Sequence, residues 1–127
     1  MKILFLEHLF LLPPDSGGKI KSLHFLKALA KEHSVRLLSF VRPGDDISLL
    51  PELESICESV KLITLERNSS KWLIDILNSA LTGKSFIVSR DFRKQMQAAF
   101  NSAVNEFKPD IVHVDHLQMA QYIPKNR

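Results

Sequence analysis

Two rhythms of apolar residues alternate along this chain. Short, nearly continuous apolar runs stand at 3–6, 37–41, 60–65 and 111–114. Between them, apolar residues return every three or four positions. The first rhythm predicts buried strands and the second amphipathic helices. "KILFLE" predicts a strand over Lys2–Glu7, closed by turn chemistry. A helix follows from about Gly18 to Glu32, with Asp15 or Ser16 as cap. On it Ser22, Leu23, Phe25, Leu26, Leu29 and Ala30 share one arc, and Lys21, His24, Lys27 and Lys31 the other.

The pattern then predicts a strand over Val35–Val41, a short helix over Leu49–Glu58 and a strand over Val60–Leu65. Next come a helix over "KWLIDILNSALT", capped by Ser69 or Ser70 and stopped by Gly83, and a helix over Asp91–Phe107 that ends before Pro109. A last strand over Ile111–Val114 precedes a short helical piece from Leu117. Strands that alternate with helices require crossover connections. The expected fold class is therefore α/β: a Rossmann-like parallel sheet in the order 3-2-1-4, with helices on both faces. The nearly continuous apolar strands fit burial on both sides.

Length and composition narrow the classes. A chain of 127 residues suggests one domain, and 45% apolar with 24% charged residues argues against disorder. The formal charge of +3 is a mild basic bias that suits phosphate-bearing ligands or an anionic membrane surface. It is too weak to imply nucleic acid. One cysteine, Cys57, excludes an internal disulfide framework and a cysteine zinc site, and a reducing cytosol is the expected compartment. Met1–Leu12 is apolar, but Glu7 and His8 interrupt it and no small-residue cleavage site follows.

Two stretches carry candidate chemistry. In "PPDSGGKIKS", Gly17 and Gly18 lie where the first strand meets the first helix. Residues without side chains allow a ligand close to the backbone, and a helix start offers free N–H groups to an anion. Lys19 and Lys21 add positive charge. The plainer reading is a tight turn. In "HVDH", His113, Asp115 and His116 gather at the end of the fourth strand. Alternation puts His113 and Asp115 on one face and turns His116 to the other. Both stretches fall beyond the carboxyl ends of neighbouring strands, at the switch point of the sheet. The plainer reading of His113 is a hydrogen-bonded core histidine, and His24 and His33 read as structural.

Other chemistries fit less well. Two histidines and one aspartate also resemble part of a zinc set, but no further ligand is fixed, so no metal is expected. The dinucleotide G-x-G-x-x-G pattern is absent. "TGKS" at Thr82–Ser85 has Asn78 where a phosphate loop needs glycine, and follows a helix rather than a strand. No G-x-S-x-G elbow occurs.

The opening "MKILFLEHLFLLPPDSGGKIKSLHFLKALAKEHSVRLLSF" resembles that of family 4-like retaining glycosyltransferases of the GT-B fold, in which a first strand runs into a Pro/Gly-Gly loop and a Leu-Ala helix. "FKPDIVHVDHLQMA" is similar to the family's strand end "P-D-V-V-H-x-H", although Asp115 stands where the family has its second histidine. The resemblance is best over residues 1–41 and 107–120. It implies that residues 1–127 are an incomplete acceptor-binding N-terminal domain, with the donor domain absent and supplied in cis or in trans. The implied activity is sugar transfer from a nucleotide-sugar donor, a substrate rather than a cofactor, to a saccharide or lipid-linked acceptor. By itself the chain is expected to be inactive. Asp115 and His116 are the implied catalytic pair. Gly17, Gly18, Lys19 and His113 are the implied contacts to donor phosphate or acceptor. The alternative is a non-catalytic flavodoxin-like or receiver-like binding module. A receiver wants paired acids after its first strand, and here Glu7 stands alone.

On the helix through Lys71–Thr82, apolar residues cover about 200° of the circumference, twice what a one-sided surface helix needs. Trp72, Leu73, Ile74, Ile76, Leu77, Ala80 and Leu81 either pack against Phe86, Ile87 and the next helix or form an acceptor or membrane surface. Flanking Lys84, Arg90, Arg93 and Lys94 suit anionic headgroups. The expected location is cytoplasmic, with a peripheral contact at the inner face of the membrane.

Overall fold

The computed structural model describes residues 1–66, 72–83 and 91–125. Its elements are β1 (Lys2–Glu7), α1 (Gly17–Glu32), β2 (Ser34–Val41), α2 (Leu50–Ile56), β3 (Ser59–Thr64), α3 (Trp72–Thr82), α4 (Lys94–Phe107) and β4 (Ile111–Val114). Short 3₁₀ segments cover Ile47–Leu49 and Leu117–Tyr122. The four strands form one parallel sheet in the order β3-β2-β1-β4. The fold is Rossmann-like α/β, as the alternating pattern predicts.

Side-chain alternation along β1 explains the layering. Ile3 and Phe5 join Leu23 and Leu26 of α1 and Leu53 of α2 on one face. Leu4 and Leu6 join Met96, Ala99 and Phe100 of α4, with Met119 and Tyr122, on the other. β1 and the carboxyl half of β2 are thus buried on both faces, which is why their sequences lack a polar face. Phe10, Leu11 and Leu12 belong to the first cluster, so the chain leaving β1 is pinned to the core before it turns into α1.

Two helix boundaries change. The predicted helix over Leu49–Glu58 is a 3₁₀ turn followed by Leu50–Ile56, with Pro51 in its first turn. The predicted helix over Asp91–Phe107 begins at Lys94, because Asp91 is buried outside it. That helix closes at Lys108, whose φ of 51° is left-handed, and Pro109 blocks any continuation. On α3, Leu73, Ile74, Leu77 and Leu81 are exposed, Leu81 at 84%. Their predicted partners Phe86 and Ile87, the proposed caps Ser69 and Ser70, and Lys84 and Arg90 lie outside the described residues. Among the described residues, no helix is long and apolar enough to cross a membrane.

Candidate functional site at the switch point

β1 and β4 are neighbours, and the chain leaves them toward the first helix and the last 3₁₀ segment respectively. Gly17 and Gly18 are the first two residues of α1, with Ser16 as cap accepting a 3.4 Å hydrogen bond from the Lys19 amide. Neither glycine has a positive φ. A Cβ built on either would meet no heavy atom within 4 Å. The backbone therefore needs glycine at neither place, and the tight-turn reading loses its physical basis. The absence of side chains clears space on the solvent side of the first two helical N–H groups, which have no partner within the helix.

One turn further along α1, the helix reaches β4. The Ser22 hydroxyl donates to Asp115 Oδ2, and Lys21 Nζ lies 3.5 Å from Asp115 Oδ1. Gly18 stands four residues before Ser22, hence above it on the same side of α1. The glycine pair and the end of β4 share one end of the sheet. Lys19 is engaged elsewhere, with Nζ 3.3 Å from Asp15.

His113 and Asp115 do share a face, with Nε2 3.7 Å from Oδ1. The His113 ring packs 4.6 Å from Phe5 and 4.8 Å from Phe25, which stays half exposed at the edge of the α1 stripe. His113 Nε2 is buried without a hydrogen-bond partner. His116 departs from the sequence expectation. β4 ends at Val114, so strand alternation no longer governs position 116. His116 instead caps the following 3₁₀ segment, and its Nδ1 comes to 2.9 Å from Glu7 Oε1 and 3.3 Å from Asp115 Oδ2. The ring lacks the alignment of a hydrogen bond at either oxygen, so the contacts act as an ion pair.

Glu7 is the residue that the sequence reading passed over. It is fully buried at the end of β1. Its Oε1 accepts the amides of His8 at 2.9 Å and Leu9 at 3.1 Å, while Oε2 has no hydrogen-bond partner. The signal was an acid placed inside an apolar run, which reads from sequence as an interruption or as the lone acid of a receiver-like site. Next to it His8 is buried, with Nε2 2.7 Å from Asp91 Oδ2 and Nδ1 3.2 Å from an Arg42 guanidinium nitrogen. A guanidinium only donates, so Nδ1 accepts and Nε2–H donates to Asp91. The pair ties the segment before α4 to the end of β1.

The charges act on one another. Burial pushes the Asp115 carboxyl up, but the Ser22 hydroxyl, Lys21 and His116 outweigh it and hold the group below its ordinary value. Contact with the Glu7 carboxylate raises the His116 imidazole above its ordinary value against the opposing effect of burial, with Asp115 adding to the rise. The result is an ionised carboxylate beside an imidazole that holds its proton more tightly than a free one, at the same end of the sheet as a helix start with free amides. Such an arrangement can hold an anion at the helix and orient a hydroxyl at the carboxylate.

The strand order and these contacts define the chain as an open Rossmann-like α/β sheet with a polar cluster at its switch point. No protein-family model, curated protein or solved structure matches the chain.

Proposed function

We propose that this chain is the acceptor-side part of a glycosyltransferase that moves a sugar from a nucleotide-sugar donor to a saccharide or lipid-linked acceptor. The observation that carries the reading is the glycine pair that the fold itself does not need, set above the Ser22–Asp115 contact. The resemblance of residues 1–41 and 107–120 to family 4-like enzymes supports it. In the reaction, the acceptor oxygen bonds to the anomeric carbon while the bond from that carbon to the diphosphate oxygen breaks. The bonding electrons leave with the diphosphate, and the acceptor proton passes to a base or to the departing phosphate oxygen. The Gly17 and Gly18 amides meet the charge that grows on the leaving phosphate. Asp115 and His116 orient the sugar and the acceptor hydroxyl, with His113 beside them. A donor domain, in cis or in trans, supplies the nucleotide contacts. The exposed leucines of α3 support a peripheral contact at a membrane carrying the acceptor.

A second reading, a binding module without catalysis, draws support from the number of partners already held by Asp115. Cells that express the gene separate the two. Asp115→Ala and His116→Ala, each at unchanged protein abundance, are expected to lower the amount of one cellular glycan at least tenfold. An unaltered glycan profile in both variants contradicts sugar transfer and leaves the binding module.

A further inference from the structure

We propose that Glu7, Asp115 and His116 form a binding site for one divalent first-row cation at the carboxyl ends of β1 and β4. One carboxylate oxygen from each acid and one ring nitrogen lie within 4.8 Å of one another. His116 Nδ1 is 2.9 Å from Glu7 Oε1 and 3.3 Å from Asp115 Oδ2. Ligand atoms at about 2.0–2.2 Å from a metal stand about 3 Å apart when adjacent, so the donor set already has the spacing of a coordination shell.

An independent observation points to a ligand. Glu7 is fully buried and its Oε2 has no hydrogen-bond partner. An ionised carboxylate out of water is costly unless it is paired or bound to a metal. Lys21, largely exposed, lies against Asp115 rather than Glu7. A dication between the acids, held by the neutral His116 imidazole after its proton is released to solvent, balances both carboxylates and gives the orphaned oxygen a partner. Outer contacts fix the ligands: the His8 and Leu9 amides hold Glu7, and the Ser22 hydroxyl holds Asp115. Two carboxylates with one imidazole make a mixed oxygen and nitrogen set. That set suits Mn²⁺ or Zn²⁺ better than Mg²⁺ or Ca²⁺, which favour all-oxygen shells. The set differs from the His113–Asp115–His116 combination suggested by the sequence, because His113 packs against Phe5 and Phe25 and Glu7 takes its place.

The inference stands independently of sugar transfer, because cation binding is read directly. The chelator-treated chain is titrated with Mn²⁺ and followed by electron paramagnetic resonance, then with Zn²⁺ by calorimetry. One equivalent is expected to bind to the folded chain, at least tenfold more weakly in His116→Ala and in Glu7→Gln. His24→Ala, on the solvated face of α1, binds as the parent does. Circular dichroism confirms that each variant is folded. If Glu7→Gln fails to fold, the partly exposed His116 carries the test. Absence of saturable binding of both ions, or equal binding in His116→Ala and the parent, overturns the site.

Discussion

Glu7, the last residue of β1, and His116, two residues beyond β4, meet with a carboxylate oxygen 2.9 Å from a ring nitrogen. Neighbouring parallel strands bring β1 and β4 side by side, and the register Leu6↔Val114 leaves the next residues of each strand at the same end of the sheet. The Asp115 amide still donates to the Leu6 carbonyl at 3.3 Å, which anchors the exit from β4 beside Glu7. The site is thus built from the ends of a rigid sheet, with α1 laid over it by the Ser22–Asp115 contact.

The glycine pair gives the sharpest separation of stability from function. Gly17→Ala and Gly18→Ala meet no neighbour, and alanine is the better helix former by about 0.5–1 kcal/mol. Each variant is expected to melt at the parent's temperature or slightly above, yet to bind pyrophosphate at least fivefold more weakly. A melt series with a parallel calorimetric titration checks this. Destabilised variants would return the glycines to a purely structural role.

Much of this arrangement was legible before any coordinates. The apolar runs marked all four strands, and the connections gave the order 3-2-1-4. "DSGG" marked the start of α1 because a serine cap is a local signal. Glu7 was not legible as a site residue, since one acid among apolar neighbours reads the same whether it is buried or merely ends a strand. The His8–Asp91 contact was hidden for a similar reason: no local pattern links residues so far apart in the chain. It also explains the late start of α4, because Asp91 is held against β1 rather than turned into a helix cap.

The buried His8–Asp91 pair is expected to be a large single contributor to stability. His8→Ala leaves the buried Asp91 carboxylate without its imidazole donor. What is lost is a hydrogen bond to a buried carboxylate that keeps other interactions, which costs about 1–3 kcal/mol. Urea denaturation is expected to show a loss in that range with an unchanged slope. A loss under about 1 kcal/mol contradicts the role assigned to the pair.

Alkaline pH should weaken the fold. Burial pushes the Cys57 thiol up to about 11 and the Tyr122 phenol up to about 12. Both groups favour their neutral forms in the folded chain, so their contribution is complete below their unfolded values and is lost as pH rises through the folded ones. Thermal melts are expected to hold steady to about pH 9 and to fall between 9 and 12. In the native chain Cys57 should react with iodoacetamide far more slowly than in urea, and equal rates would contradict its burial.

The exposed side of α3 predicts partition to anionic vesicles. Leu77→Asp and Leu81→Asp change side chains that are 61% and 84% exposed, so neither variant should alter the melting temperature. Both are expected to lower co-sedimentation with vesicles of phosphatidylglycerol and phosphatidylcholine, and the parent's binding should fall as salt rises. Parent binding that ignores lipid charge, or variants that sediment as the parent does, removes the membrane contact from the account.

The claim at the centre is that the Gly17–Gly18 start of α1 and the Asp115–His116 end of β4 serve one ligand, a sugar carried on a diphosphate. Its most direct test is nuclear magnetic resonance of the ¹⁵N-labelled chain, titrated in the presence of chelator with uridine, guanosine and adenosine diphosphate hexoses. The account predicts that for at least one of them the amides of 17–19 and 113–116 shift together along a single saturation curve, and that Gly18→Ala moves both sets to at least fivefold higher ligand concentration. Shifts confined to other parts of the chain, or no saturable shift at 17–19 with any of the three, would contradict it.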